Sequence, residues 1–346
     1  MTLAGDLSNY LGRLWPQRKG CRVENIRRFT VGAAQETCRF DMIWGANGEQ
    51  RQGLVMRREM PDAIIQTERR TEYAALRAFA ASDVPVPEVF ALEEDPAHLG
   101  APFMIMEEIA GCESAPYLLD DPRYDPVRAR MGHRKWQILG QIAGADPTAL
   151  GLDTKLRNPG ASDCWKVELD YWSDVLRTES REIEPASEAA IRWLEANPPP
   201  PPPRMVVVHG DFRTGNFLYT ERGEIHAVLD WEMCHIGDPH EDIAWAMVSL
   251  WAGGRDDRPG RLIGTKDALK TYTAASGISV DPKALGWWRL FATIKAMAIW
   301  KSSGRIFADG KSDDPMMVRI GWLAVDAQRR ETVRRLADAK GDPDDS

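Results

Sequence analysis

A short apolar strand, a polar loop and a hairpin follow one another in this chain, and together they leave few folds open. The apolar run at 205–208 predicts a buried strand, and the polar loop at 209–216 reads His-Gly-Asp-Phe-Arg-Thr-Gly-Asn. Residues 217–229 form two strand-like runs around a turn at Gly223, which predicts a β-hairpin. Because a hairpin returns the chain to where it began, Asp230 is expected beside the loop.

The hairpin spacing predicts a cation site. Asn216 and Asp230 each lie seven residues from Gly223. A turn centred there places them opposite each other, and opposed side chains have Cβ atoms about 4.5–5.5 Å apart. A slip of one residue would spoil this arrangement. Carboxylate and amide oxygens are ligands that Mg²⁺ accepts, so the pair predicts a magnesium site with Asp211 nearby.

The same segment carries a family resemblance. From His209 to Asn216 the loop reads H-G-D-x-x-x-x-N, and Asp230-Trp231-Glu232 follows the hairpin. This is similar to the kinase pattern H-R-D-x-x-x-x-N followed by D-F-G. The segment resembles the catalytic loop of the aminoglycoside phosphotransferase and choline kinase family, whose members are relatives of the protein kinases.

The resemblance implies a role for each of these residues. Asp211 would be the catalytic base, and Asn216 and Asp230 would be magnesium ligands. Arg213 would contact the transferring phosphate, and His209 would hold the loop backbone. The implied cofactors are ATP and Mg²⁺. The implied reaction moves the γ-phosphoryl group of ATP to a hydroxyl of a small-molecule acceptor.

A second stretch, Gly237-Asp238-Pro239 with Asp242, also fits the family. With residues 230–233 it is similar to the phosphotransferase domains associated with acyl-CoA dehydrogenases. The residues also allow a purely structural interpretation, since Asp238 followed by proline and an acid is typical of a helix N-cap. Asp242 either hydrogen-bonds the catalytic loop or occupies a solvated helix position.

The remaining pattern predicts an α+β protein with two lobes. Residues 1–108 read β-β-β-α-β-β after a short first helix, and residues 109–337 are mainly helical. A chain of 346 residues exceeds what one hydrophobic core usually serves. We therefore expect a small antiparallel sheet carrying the nucleotide-binding lobe and a larger catalytic lobe. The resemblance implies the bilobal protein-kinase-like fold, and residues 338–346 are predicted to be a disordered tail.

The first lobe offers candidate nucleotide contacts. The loop at 31–36 lies where kinases carry a glycine-rich phosphate lid, and its single glycine is Gly32. The alternative is an ordinary hairpin turn. In the resemblance, Arg57 takes the place of the kinase lysine, and its ion-pair partner would be Glu72 or, one turn earlier, Glu68. Arginine keeps the charge but not the donor geometry of lysine, and a solvated edge position is the other interpretation.

The resemblance also places a hinge strand behind the adenine. Residues 103–109 form this apolar strand, and the backbone from Glu107 to Ile109 would hydrogen-bond the base.

The composition of the chain limits the classes of binding partner that we expect. The net charge of −8 argues against binding of nucleic acid or anionic membrane, and no apolar run approaches the length of a membrane span. Five scattered cysteines predict reduced thiols in the cytoplasm. The oligomeric state is left open.

The acceptor is predicted from one helix. Residues 283–303 and their exit carry Lys295, Lys301 and aromatic side chains, and we interpret these as a basic, aromatic surface. Such a surface suits an anionic or apolar acceptor better than a polycationic aminoglycoside. A hydroxyacyl thioester or another hydroxylated metabolite is the hypothesis. Because Trp287 and Trp288 are adjacent, one of them is expected to line the substrate pocket.

Two other functions are compatible with these residues. Arg57 and the thin glycine loop are compatible with a nucleotide-binding pseudokinase that has little catalysis. A metal-dependent hydrolase would use the same carboxylates. The complete set of Asp211, Asn216 and Asp230 favours the transferase.

Overall fold

The computed structural model describes residues 2–29, 35–45, 48–59, 69–254, 257–311 and 315–341. A five-stranded antiparallel sheet occupies the N-terminal part, with strand order β1-β2-β3-β5-β4. Its strands β1 to β5 are Arg22–Phe29, Gln35–Trp44, Gln50–Glu59, Val89–Glu93 and Phe103–Glu107. Four short strands, β6 to β9, follow at Val206–Val208, Phe217–Tyr219, Ile225–Val228 and His235–Gly237. The α+β class and the small N-terminal sheet are confirmed.

Helices make up most of the rest. The helices α1 to α10 are Leu3–Leu14, Arg69–Phe79, Asp125–Gly144, Cys164–Glu179, Pro185–Ala196, Pro239–Ala246, Thr265–Ser276, Pro282–Ala308, Pro315–Arg319 and Val325–Lys340. A π-helical stretch, Ile320–Ala324, joins the last two. None of the helices in the described ranges is long and apolar enough to cross a bilayer.

Helix α1 closes one side of the sheet. Thr2 caps its N-terminus, and the spacing of Leu7 and Leu11 turns both side chains into a small core with Phe40 and Leu54 of the sheet. Helix α2 instead belongs to the larger core, where the Phe79 ring lies 4.9 Å from that of Trp231. It therefore ties the sheet to the segment that follows the hairpin.

Helix α8 runs through the middle of the larger helical part. It contacts α4, α5, α6 and α10, and it is apolar on most of its circumference, as expected for a buried helix. Trp287 and Trp288 are both buried and neither lines the cavity described below, so the prediction that one of them lines the substrate pocket finds no support there. Adjacent side chains can both be buried because helices cover α8 on several sides. Lys295 is only 1% exposed, and Phe291 and Trp300 are buried beside it, so the predicted basic, aromatic surface is wrong.

The structure departs from the sequence pattern at several places. Strand β9 was not predicted; it pairs with β6 and completes a two-stranded ladder under the loop at 209–216. The sequence pattern predicts a helix over residues 239–252, but helix α6 ends at Ala246. The last helix continues to Lys340, so the first three residues of the predicted tail are helical, and residues 342–346 lie outside the described ranges. The lobe boundary after residue 108 stays a prediction.

Candidate active site

A cavity of about 400 Å³ lies between the five-stranded sheet and the hairpin of β7 and β8. It brings together six of the residues singled out from the sequence: Arg57, Glu72, Glu107, Ile109, Asn216 and Asp230. Gly32 and Glu68 lie outside the described residues. Asp211, Arg213 and His209 are in the adjoining loop, which we call the catalytic loop and define as residues 209–216.

Asp242 holds the start of the catalytic loop from α6. Its carboxylate accepts hydrogen bonds from the backbone N–H of His209 at 2.6 Å and of Gly210 at 3.0 Å. The side chain is buried, and burial raises its pKa to about 6. The prediction that Asp242 hydrogen-bonds the loop is confirmed, and a solvated position is wrong.

Gly210 permits the tight turn before Asp211. Its φ is +83°, and a Cβ atom there would lie 2.6 Å from the carbonyl oxygen of Met233. Both the left-handed backbone and this close approach require glycine.

His209 is a buried side chain that hydrogen-bonds backbone groups of both the catalytic loop and the hairpin. Its Nδ1 accepts from the Asp211 N–H at 3.1 Å, and its Nε2 contacts the carbonyl of Leu229 at 3.1 Å. The ring is therefore neutral with its proton on Nε2, and burial lowers its pKa to about 4. His209 touches backbone on both sides and thus ties the loop to the strand that leads to Asp230.

The Asp211 carboxylate is held by three donors. Oδ2 accepts from Asn216 Nδ2 at 2.7 Å and from Arg213 Nε at 3.1 Å. Oδ1 accepts from the indole N–H of Trp245 at 2.6 Å. Trp245 was missed by sequence reasoning, although it lies three residues after Asp242 and therefore on the same face of α6.

The predicted register of Asn216 and Asp230 is wrong by one residue. Phe217 pairs with Val228, and the Leu229 N–H donates to the Asn216 carbonyl at 2.8 Å, so Leu229 lies opposite Asn216. A β-bulge in the hairpin makes its turn asymmetric. Asp230 then adopts a left-handed conformation with φ +71° and ψ +55°, and it still lines the same cavity as Asn216. Such backbone strain is typical of functional sites.

The donor set fits a magnesium ion. Asn216 Nδ2 donates to the backbone carbonyl and to Oδ2 of Asp211, which turns its amide oxygen away from the carboxylate. Within the described residues that oxygen makes no hydrogen bond. The Asp230 carboxylate lines the same cavity, so one amide and one carboxylate oxygen are available to a hard cation.

Arg57 lies at the centre of a carboxylate cluster. Its guanidinium is paired with Glu72, with Asp230 at 3.0 Å and with Glu232 at 3.7 Å. Burial raises the pKa of Asp230, but the attraction of Arg57 and Arg213 outweighs it and leaves the pKa below its ordinary value. Burial and the charge of Asp230 raise the pKa of Glu232 well above its usual range. The predicted partner Glu72 is thus found beside Arg57.

The hinge segment has one free donor. Glu107 N–H donates to the Glu88 carbonyl at 2.8 Å and is used within the first lobe. Ile109 N–H has no hydrogen bond among the residues that the structure describes, and Ile109 lines the cavity. The backbone at 109 is therefore able to receive a ligand.

Asp238 caps α6. Its carboxylate accepts from the His240 N–H at 2.8 Å and is buried. These contacts support the capping interpretation, and Asp238 does not line the cavity.

Lys135 of α3 was also missed. It is fully buried under the catalytic loop, where its Nζ donates to Thr214 Oγ1 at 3.1 Å. Burial lowers its pKa to about 7. Since an amine in the unfolded chain titrates near 10.5, the unfolded state binds more protons between pH 7 and 10.5, and stability rises with pH there.

Lys135→Met is therefore expected to raise the free energy of unfolding by roughly 1–3 kcal/mol at pH 6, since burial of an ammonium group is costly. The gain should shrink as pH rises toward 10. Urea unfolding of both proteins at several pH values measures this. Lys166→Met removes an exposed lysine and should show no such trend. A gain that does not vary with pH would contradict the assigned shift.

Comparisons with known proteins identify the family and the fold of this chain. The model of the phosphotransferase enzyme family matches residues 38–277. Acyl-CoA dehydrogenase family member 10 of Mus musculus is 31% identical over 57% of this chain, which spans only 18% of that relative. A candidate aminoglycoside phosphotransferase from Ralstonia eutropha superposes with a TM-score of 0.73 at 21% identity, covering 94% of this chain and 97% of that chain.

An aminoglycoside phosphotransferase solved with AMP-PNP and hygromycin B superposes with a TM-score of 0.57 at 18% identity, covering 96% of this chain and 99% of that one. At sequence identities of 21% and 18%, these two phosphotransferase structures are informative about the fold only. They confirm the kinase-like fold predicted from the sequence. Because the family model covers well over half of the residues, the chain belongs to the phosphotransferase enzyme family.

Proposed function

We propose that this chain moves the γ-phosphoryl group of ATP to a hydroxyl of a small-molecule acceptor, with Mg²⁺ as cofactor and Asp211 as base. One observation carries the proposal: Asn216 and Asp230 line the same cavity as the hinge residues Glu107 and Ile109, and Asn216 donates to the Asp211 carboxylate in the adjoining loop. A cytoplasmic location, predicted from the cysteines, belongs to the same proposal.

The cavity accounts for nucleotide binding. Its apolar walls, which include Val55, Met106 and Leu218, suit a purine ring, and the N–H of Ile109 offers a hydrogen bond to its edge. Arg57 lies at the opposite end, where its charge would face phosphate oxygens. Asn216 and Asp230 would hold Mg²⁺, which neutralises charge on the phosphates when bound.

The donors around Asp211 indicate where the acceptor hydroxyl binds. A carboxylate has about four lone-pair directions. Two on Oδ2 are used by Asn216 and Arg213, and one on Oδ1 is used by Trp245. The remaining direction on Oδ1 is the one that would receive the acceptor hydroxyl and its proton. The same three donors keep the carboxylate from rotating, as a positioned base requires.

Because Lys295 and the tryptophans of α8 are buried, they give no information about the acceptor. The class of the acceptor is therefore proposed from the relatives alone. A hydroxyacyl thioester is the first candidate, because a matched relative is named for acyl-CoA dehydrogenases. A classical aminoglycoside is the class that we expect to fail.

The test is a phosphorylation screen with γ-labelled ATP and Mg²⁺ over acyl thioesters, hydroxylated metabolites and aminoglycosides. We expect label on an alcohol product, with Asp230→Asn reducing turnover about 100-fold and raising the Mg²⁺ concentration that is required. Asp281→Asn, at the exposed cap of α8, is the matched control.

Each of the other outcomes would assign this chain a different function or a different acceptor. Label released only as inorganic phosphate across the whole panel would replace the transferase with a hydrolase. Binding of ATP without turnover in any mixture would replace it with a pseudokinase. Transfer to aminoglycosides but not to acidic hydroxy compounds would overturn the proposed acceptor class.

A further inference from the structure

Lys295 is a buried cation that the proposed reaction does not use directly. It lies in the middle of α8 and is 1% exposed. Its Nζ donates to the carbonyl oxygen of Gly210 at 2.7 Å and to Glu241 Oε1 at 3.1 Å. Gly210 immediately precedes Asp211, so Lys295 hydrogen-bonds the catalytic loop at the residue next to the proposed base.

Two indole rings flank the same ammonium group. Nζ lies 5.0 Å from the centre of the Trp245 ring and 5.3 Å from that of Trp172, both within the range of cation–π attraction. Trp245 is also the donor to Oδ1 of Asp211. Lys295 therefore reaches Asp211 by two routes, through the backbone of Gly210 and through the ring of Trp245.

A chain of alternating charges neutralises this buried lysine. Glu241 lies between Lys295 and His235, whose Nε2 is 3.0 Å from Glu241 Oε2. His235 Nδ1 contacts the carbonyl of Met233 at 2.9 Å, so both ring nitrogens face acceptors and the ring is an imidazolium. Beyond it, Glu168 is 3.5 Å from His235 and pairs with Arg157.

The same three side chains, Glu168, His235 and Glu241, are close enough to bind a metal ion. Their charges argue otherwise, because Lys295 and Arg157 already neutralise the two carboxylates. A divalent ion would have to displace the proton of the His235 imidazolium, and it would add further positive charge to a cluster in which cations already outnumber carboxylates, which a low-dielectric interior penalises. The cluster thus serves to hold Lys295 in place against the catalytic loop.

We propose that Lys295 is a positioning residue that sets the orientation of the Asp211 carboxylate. The inference rests on the proposed function, because it assigns Asp211 as the base. Asp242 accepts from the Gly210 N–H and Lys295 donates to the Gly210 carbonyl, so the two peptide groups that flank Gly210 are both held, the second of them being the one that leads into Asp211. Without the Lys295 ammonium group, the Gly210 carbonyl loses a buried hydrogen-bond donor and the Trp245 ring loses its cation–π contact.

The experiment compares Lys295→Met with Lys301→Met. Both remove a mostly buried lysine of α8, but Lys301 pairs with Glu184, far along the helix from the loop. For Lys295→Met we expect kcat to fall about 100-fold with KM for ATP unchanged, as misplacement of a catalytic group predicts. For Lys301→Met we expect kcat within about two-fold of wild type, even where its melting temperature falls.

A spectroscopic measurement keeps the test independent of turnover. The indole N–H signal of Trp245, identified by its loss in Trp245→Phe, should lie downfield in wild type with AMP-PNP and Mg²⁺ because of its short hydrogen bond. Lys295→Met should shift it upfield, and Lys301→Met should not. Trp245→Phe keeps an aromatic ring but removes the indole N–H donor, so it should also lower kcat at unchanged KM. It provides a second variant should Lys295→Met fail to fold.

The outcomes separate the two proposals. Wild-type kcat and an unshifted indole signal in folded Lys295→Met would overturn the positioning role, as would equal losses of kcat in both lysine variants. Absence of turnover in wild type, with the indole shift as expected, would remove the proposed reaction but keep the link from Lys295 to Asp211. Tight binding of added Zn²⁺, abolished in His235→Ala, would replace the charge chain with a metal site.

Discussion

Asp211→Asn is expected to lower kcat by about 10²- to 10⁴-fold while the affinity for ATP stays within a few-fold of wild type. The amide keeps the size of the side chain but cannot take up the proton of the acceptor. Its Nδ2 also places a donor at one of the two oxygen positions, where either Trp245 or the pair of Asn216 and Arg213 now finds an acceptor. Steady-state rates of ATP turnover with the acceptor from the screen, together with titration of AMP-PNP, measure the two quantities separately.

Asp238→Asn is the matched control for this substitution. Asp238 is a buried acid at the N-cap of α6, and asparagine caps a helix about as well as aspartate does. Its kcat should therefore remain close to that of wild type. If Asp238→Asn were as damaging as Asp211→Asn, Asp238 would belong to the chemistry. If Asp211→Asn turned over ATP at the wild-type rate, Asp211 would not be the base.

Arg57→Met should have the second large effect, on stability and on nucleotide binding together. Removal of one partner from a buried ion pair typically costs ~3–5 kcal/mol, and here Glu72, Asp230 and Glu232 all lose theirs. A charge-assisted contact with phosphate is worth enough that ATP affinity should fall about 10- to 100-fold. Chemical unfolding and ATP titration measure the two effects.

Arg57→Lys should lie between Arg57→Met and wild type. Lysine keeps the charge that the family pattern carries, but it cannot bridge Glu72 and Asp230 with separate nitrogens as the guanidinium does. Arg58→Met is the neighbouring control, because consecutive strand residues point to opposite faces and Arg58 pairs with Glu36. Wild-type ATP affinity in Arg57→Met would show that the phosphates bind elsewhere.

Much of the architecture was predictable because it depends on local periodicity. Hydrophobic patterns in the sequence predict strands at 23–30 and 37–44 and a helix at 124–144. The structure has these elements at 22–29, 35–44 and 125–144, each within two residues of the prediction. Hydrophobic spacing and turn residues act over a few neighbouring positions, so they can be recognised without knowledge of the fold. The catalytic loop was recognised for a related reason, since its residues are close in the chain.

The errors arose where distant segments meet. The charge of Lys295 indicated a surface, yet four helices cover α8 and the lysine is neutralised by Glu241 from α6. The hairpin bulge moved Asn216 by one residue relative to Asp230, and the left-handed turn at Asp230 compensates for that shift. Neither effect has a signature in the residues nearby.

From the sequence alone came the class of the fold, the segment that carries Asp211, Asn216 and Asp230, and the family to which it belongs. Residue type and short-range spacing are enough for these. The tertiary structure was needed for the partners of Asp211. Trp245 and Lys295 lie 34 and 84 positions further along the chain, and only the packing of α6 and α8 against the catalytic loop brings their donors within hydrogen-bond distance of Asp211 and Gly210.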